Sequence, residues 1–294
     1  NGINFEKFNG EFGGTVEYYG SGYTIPATPV NYCNLVINSS GDNATSAIHM
    51  PEANVTVFND FTVKGGYALS ANDANRTVTV NKNWNITDGG TFLMYSSGNK
   101  KFLQTYNVKG DVTVDAGATL SANGSTANDK INKLLIEGDM TVDGSFSAVS
   151  NNNKFDTEFV GSNDAYISGT ASGSDFKFFT LTCNKSALDK KLILLTHNIS
   201  SSDENSLLTM TRGTFEVAIS DVKSVDLTKN VDLTIPGSAC LSIVSGTANV
   251  SNFDREKQLK LSGHISISGG TLKVGRNESN HNSILYAADG LPSI

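Results

Sequence analysis

Charge is scarce in this chain: Asp, Glu, Lys and Arg make up 17% of its 294 residues, against roughly 25% in an average soluble domain. Proline occurs five times, tryptophan once, cysteine three times and histidine four times. Each shortage excludes something. An odd cysteine count without a C-x-x-C pair cannot close a full disulfide set. Cys33, Cys183 and Cys240 stand at no motif-like spacing from His49, His197, His264 or His281. Their strand-type neighbours fit buried, hydrophobe-like thiols. No stretch approaches the roughly 18 apolar residues of a membrane span. The net charge of −7 makes nucleic acid and anionic membrane surfaces poor partners, because both favour a surplus of Lys and Arg. A nucleophile elbow, a Walker loop, Gly-x-Gly-x-x-Gly and His-Glu-x-x-His are all missing. No segment spaces its apolar residues as a capped helix would, although Lys185–Leu195 comes nearest, and its Leu192-Ile193-Leu194-Leu195 core reads equally well as a buried strand.

What is abundant is asparagine, together with glycine, which occurs 28 times. With 38% hydrophobic residues the composition is that of a polar β-type chain that folds and turns often. It also repeats. VTVFNDFTVKGG from Val55 returns as VTVNKNWNITDGG from Val78, YNVKGDVTVDAG from Tyr106 and LLIEGDMTVDG from Leu134. LTIPGSACLSIVSG from Leu233 and LKLSGHISISGG from Leu259 complete the set. Steps of 23, 28 and 28 residues separate the first four starts, and 26 the last two.

Within each copy the alternation has period two, the strand period. It places Val55/Val57, Val78/Val80, Tyr106/Val108, Leu134/Ile136, Leu233/Ile235 and Leu259/Leu261 inward before a polar turn. After the turn come Phe61/Val63, Trp84/Ile86, Val112/Val114, Met140/Val142, Leu241/Ile243 and Ile265/Ile267. A unit this short cannot bury its apolar face alone, but stacked copies can. The expected fold is all-β, a right-handed parallel β-helix (β-solenoid) with coils of about 23–28 residues.

A larger duplication lies over the short one. Gly14–Pro26 leads to Tyr32–Ser39, and Glu158–Gly169 leads to Phe178–Ser186, with Gly20-Ser21 recurring at Gly161-Ser162 and Cys33-Asn34 at Cys183-Asn184. This divides the chain into a first super-repeat, 1–150, and a second, partial one continuous with it, 151–294. Beginning at Asn1 without Met, and ending soon after a repeat-like segment, the chain reads as a piece of a longer polypeptide.

The motif GTVEYYGSGYTIPA from Gly14, with YCNLVIN from Tyr32 and VKGDVTVDAGATL from Val108, resembles the repeat regions of large surface and adhesin-like proteins of Bacteroidota. The resemblance implies export, often by the type IX system, an extracellular or outer-membrane cell-surface location, and service as a stalk or adhesive shaft in attachment or gliding. The partners it implies are secretion machinery or outer-membrane proteins.

Two groups of residues are candidates for chemistry. Aligning the turns superposes Asp60, Asn83, Asp111, Asp139 and His264, with Cys240 as the exception, and a second file aligns Asp115 with Asp143. Asn and Asp suit tight turns and can form ladders along a solenoid. Stacked carboxylates could also hold structural calcium weakly at Asp111, Asp115, Asp139 and Asp143, or act as an acid/base pair of a polysaccharide-active β-helix. No Arg stands in the aligned turns, although Lys64 and Lys109 lie near them. The second group is aromatic: Tyr18, Tyr19 and Tyr23 in the Gly14 motif and Phe176 in its second copy, whose rings could stack on sugars of a glycan or on a solid surface. The expectation is a non-enzymatic extracellular solenoid segment with no cofactor beyond structural calcium. The alternatives are a polysaccharide lyase or hydrolase, or a secretion-system cargo held in a complex.

Overall fold

In the computed structural model the described residues are 12–71, 74–95, 102–123, 131–150, 153–201, 206–229, 231–250, 258–275 and 284–286. Among them the only helical element is the 3-10 turn Gly173–Asp175, and the remaining elements are strands. The chain divides into two compact units, Asn1–Asp156 and Thr157–Ile294.

The first unit is a β-solenoid with three stacks of parallel strands. The first sheet takes Thr15–Gly20, Asn34–Ser39, Phe61–Gly65, Trp84–Ile86, Val112–Val114 and Met140–Val142. A second sheet runs from Tyr23–Thr24 to Ser145–Ser147. A third runs from Asn31–Tyr32 to Asn132–Ile136. The chain visits third, first and second sheet in turn and then rises one coil. Leu35, Phe61, Trp84, Val112 and Met140 follow one another as register partners, one per coil. The opening coil is the shortest, running only from Val16 to its partner Leu35. Among the described residues the antiparallel pair Val149↔Lys154 departs from the parallel rule.

Alternation explains the packing. Val112, Val114, Met140 and Val142 lie fully inside on consecutive coils, and every other expected inward residue of the first unit is also buried. Trp84 fills an inward strand position: its ring stacks between Phe61, 5.5 Å away, and Tyr106, 4.9 Å away, and meets the edge of Phe92. Its indole Nε1–H finds no acceptor. Outside the second sheet, Ala47, Leu69 and Leu93 form a satellite cluster with Ala44 and Tyr67.

The second unit is a parallel solenoid of the same kind. Its lateral sheet stacks Ala165–Ser168, Lys191–Leu194, the C-terminal half of the long strand Leu208–Ala218, Ala239–Ser245 and His264–Ile267. The segment from Lys185 to Leu195 is therefore strand at its core, Lys191–Leu194. Ala165, Leu192, Phe215, Leu241 and Ile265 are successive register partners, and their spacing stays within the range of coil lengths found in the sequence repeats. The N-terminal half of Leu208–Ala218 pairs with Thr180–Asn184, through a bulge at Cys183/Asn184. Later coils build two further sheets, on Ser224–Asp226 and on Leu233–Ile235.

One expected inward residue departs from the pattern. Ile267 is 50% exposed, whereas its register partner Ile243 is fully buried. Among the described residues no later strand pairs with His264–Ile267, so none of them covers that end of the apolar column. Gly20 and Gly161, matched by the duplication, both take a positive φ, 101° and 86°, a conformation that a Cβ would strain.

Candidate functional site

The turn file of the first unit is a hydrogen-bonded ladder. Asn34 Oδ1 accepts the backbone N–H of Asp60 at 3.3 Å, Asp60 Oδ1 that of Asn83 at 3.1 Å, Asn83 Oδ1 that of Asp111 at 3.1 Å, and Asp111 Oδ1 that of Asp139 at 2.8 Å. These links span 26, 23, 28 and 28 residues in turn, one coil each. Each side chain thus satisfies a donor one coil on, at a corner where the strand ladder is interrupted. Asn83 also separates the carboxylates of Asp60 and Asp111, which lowers repulsion along the file. The same device recurs in the second unit, where Asp164 Oδ1 accepts from Lys191 N and Asp232 Oδ1 from Gln258 N, both at 2.8 Å.

Asp115 and Asp143 lie at the opposite end of their strands from Asp111 and Asp139. Four residues of extended chain span roughly 13 Å, so the four carboxylates form two files and do not converge. Among the described residues no group of three or more His, Cys, Asp or Glu is placed to hold a metal ion.

The aromatic candidates separate. Tyr18 meets Tyr32 edge-on, with their hydroxyls 3.3 Å apart, and Tyr23 donates its hydroxyl to the carbonyl of Tyr19. Tyr19 is the ring presented to solvent, 77% exposed. Phe176 is a correction: its ring is fully buried and packs on Phe178, centroids 5.3 Å apart. It occupies an inward position of the Phe176–Phe178 strand, so it offers no face to a ligand.

A group of hydrogen-bonded polar side chains lies on the lateral sheet of the second unit, where the repeat pattern marks only Cys240 and His264. Residues of one parity point outward there, giving a file Lys191–Thr214–Cys240–His264 beside a file Tyr166–Ile193–Glu216–Ser242. Glu216 is nearly buried. Its Oε2 accepts from Lys191 Nζ at 2.9 Å and from Ser242 Oγ at 3.2 Å, and Thr214 Oγ1 donates to the carbonyl of Leu188 at 2.7 Å. The hydrogen bond to Glu216 raises the Lys191 pKa, so this lysine remains an ammonium ion at neutral pH. Burial raises that of Cys240, keeping it a thiol where a nucleophile would need a thiolate. Two signals could have located the group: the coil period links Lys191, Thr214, Cys240 and His264, and Glu216 follows Lys191 by about one coil. Elsewhere in this unit a shallow cavity of about 230 Å³ lies between Leu208–Met210 and Val231–Thr234. Its one carboxylate, Asp232, is engaged by Lys260 at 2.6 Å.

A further pattern recurs in three places: an acid, an asparagine and a base on successive coils. Asn38 donates to Glu17 at 2.8 Å and registers with Lys64; Asn184 donates to Glu158 at 2.7 Å and registers with Arg212; Asn249 donates to Asp226 at 2.8 Å and registers with Lys273. Compared with protein-family models, with curated proteins and with solved structures, the chain finds no match.

Proposed function

We propose that this chain is a non-enzymatic β-solenoid segment of an extracellular, adhesin-like surface protein, in which stacked coils form a shaft and its lateral faces make contact. The observation that carries this reading is the Asx ladder. Its acceptor oxygens hold one coil to the next, a structural use of the residues that a polysaccharide-active β-helix would turn to catalysis. The ammonium state of Lys191 supports the same reading, because a general base near neutral pH must be able to take a proton. The resemblance carried by the Gly14 motif supports the surface location, with secretion machinery or outer-membrane proteins as partners in export.

The test is a reducing-sugar assay on pectin, alginate, chitin and xylan, run beside immunolabelling of intact source cells. No sugar release and labelling without permeabilisation are expected. Release that disappears in Asp111→Asn/Asp139→Asn would instead establish the polysaccharide-active enzyme.

A further inference from the structure

The inward positions of the first unit's third sheet are apolar along most of their length and polar at one end. Val78, Tyr106 and Leu134 are register partners inside the solenoid. Two residues before them stand Arg76, Gln104 and Asn132, of which Gln104 and Asn132 are 3% and 1% exposed. Both of these amides are engaged. Asn132 Oδ1 accepts the backbone N–H of Gln104 at 2.9 Å, and Gln104 Nε2 donates to the carbonyl of Ala74 at 2.9 Å. The strand Asn153–Phe159, which pairs with Asn132–Ile136, opens in the same way, with an amide and then a large apolar residue on its inward face. Phe155 meets Phe146 edge-on, centroids 5.4 Å apart, and Asn153 lies two residues earlier, 1% exposed. In the antiparallel pair that ends this unit, Asn153 has Ser150 as its register partner.

Among the described residues, Asn153 is the side chain whose buried donor and acceptor both lack a protein partner: neither Nδ2 nor Oδ1 makes a hydrogen bond. A side-chain amide carries two N–H donors and two acceptor lone pairs. Burying one with none of them met is costly enough that native chains supply a partner, either protein or ordered water. Trp84 presents a different case, because its single indole donor lies between aromatic rings, in surroundings too apolar to hold water. We propose that Asn153 is an internal hydration site, with one water donating to Oδ1 and another accepting from Nδ2 at the polar end of this stack. The chemistry of the position selects water. Its neighbours along the sheet are the amides of Gln104 and Asn132, and buried water persists in polar surroundings, whereas a cavity lined by hydrocarbon stays dry. The Asn153 side chain is neutral, so an ion buried beside it would be uncompensated. A hard cation also needs roughly six oxygens, and the Asn132 oxygen is already taken by Gln104 N–H.

A crystal structure of the whole chain, at a resolution that shows ordered solvent, tests this together with water-to-amide NOE spectra of isotope-labelled protein. Expected are solvent density within hydrogen-bonding distance of Asn153 Oδ1 and Nδ2, and a cross-peak from long-lived water at the Asn153 side-chain amide. In Asn153→Leu, which fills the place of the amide with hydrocarbon, the density should disappear. The wild-type result decides by itself, so a variant that fails to fold leaves the test intact. An amide turned to a protein partner, with no solvent beside it, overturns the proposal. A bare amide without the water cross-peak does the same. Density unchanged in Asn153→Leu would show that other groups hold the water, and this too overturns the assignment to Asn153. Density with the coordination of a cation, present only in crystals grown with added sodium or calcium chloride, assigns an ion and rejects water.

Discussion

Asn83 Oδ1 receives the backbone N–H of Asp111 from the next coil at 3.1 Å, and Asp111 Oδ1 passes the same bond on to Asp139 at 2.8 Å. A side chain that looks like a turn-former in sequence is therefore the vertical link between coils. Only an oxygen acceptor is required, so Asn and Asp alternate freely along the file.

From this follows a distinction between substitutions. Asp111→Ala removes the acceptor for Asp139 N–H and should destabilise the first unit by about 1 kcal/mol, the worth of a comparable side-chain-to-backbone bond. Asp111→Asn keeps an Oδ1 acceptor and should stay within about 0.5 kcal/mol of wild type. Urea unfolding followed by tryptophan fluorescence reports on this unit, since Trp84 is the one tryptophan. Equal effects of Ala and Asn would mean that the ladder contributes no stability.

The aromatic column gives a second contrast. Trp84 stacks between Phe61 and Tyr106 but carries an unsatisfied indole N–H. Trp84→Phe removes that donor while retaining a ring, so its cost should be under about 2 kcal/mol; Trp84→Ala, which leaves a cavity, should cost about 3–5 kcal/mol. Circular dichroism melts of both variants measure the difference. A Phe variant as unstable as the Ala variant would show that shape alone governs this site.

The strand period and the coil length were legible in the sequence because inward residues such as Val112/Val114 and Met140/Val142 alternate strictly and recur one coil apart. The Asp60–Asn83–Asp111–Asp139 file was legible for the same reason. Other features were hidden by physics that a linear reading does not carry. Phe176 and Tyr19 are both aromatics of the duplicated motif, yet strand parity turns one ring inward and the other out. The Lys191–Glu216 contact is diagonal across two coils, Lys191 registering with Thr214 and Glu216 with Ile193, so alignment by repeat position never pairs them. The acid–Asn–base files were obscured because coil length varies, from the short Val16–Leu35 coil to the long Trp84–Val112 coil.

Val114 tests the one-dimensional character of the stack. Val114→Asp would place an unpaired carboxylate among Ile86, Val142 and the surrounding column, at a cost on the order of several kcal/mol. Because each coil touches only its neighbours, the loss should be confined near the substitution. Hydrogen exchange should show protection falling around residues 84–142 and persisting in the Leu233–Ile235 and Leu259–Leu261 strands. Uniform loss through both units would contradict nearest-neighbour behaviour.

The Lys191–Glu216 pair makes a prediction about alkaline stability. Its hydrogen bond raises the Lys191 pKa above that of an exposed lysine. A group whose pKa is higher in the folded state contributes stability that is fully present below its unfolded pKa, near 10.4, and that is lost as pH rises through the folded value. The wild-type melting midpoint should therefore hold to about pH 10 and then fall as the ammonium releases its proton, leaving the nearly buried Glu216 carboxylate with Ser242 alone. Glu216→Gln removes the charge that raises the pKa, so its midpoint should start lower at neutral pH and decline less between pH 10 and 11.5. Groups remote from the pair are common to both proteins and cancel in the difference between their curves. Since about 40% of the Lys191 side chain is exposed, salt should shrink that difference in part. Parallel wild-type and Glu216→Gln curves across this range would show that the pair contributes nothing to folding through its charge.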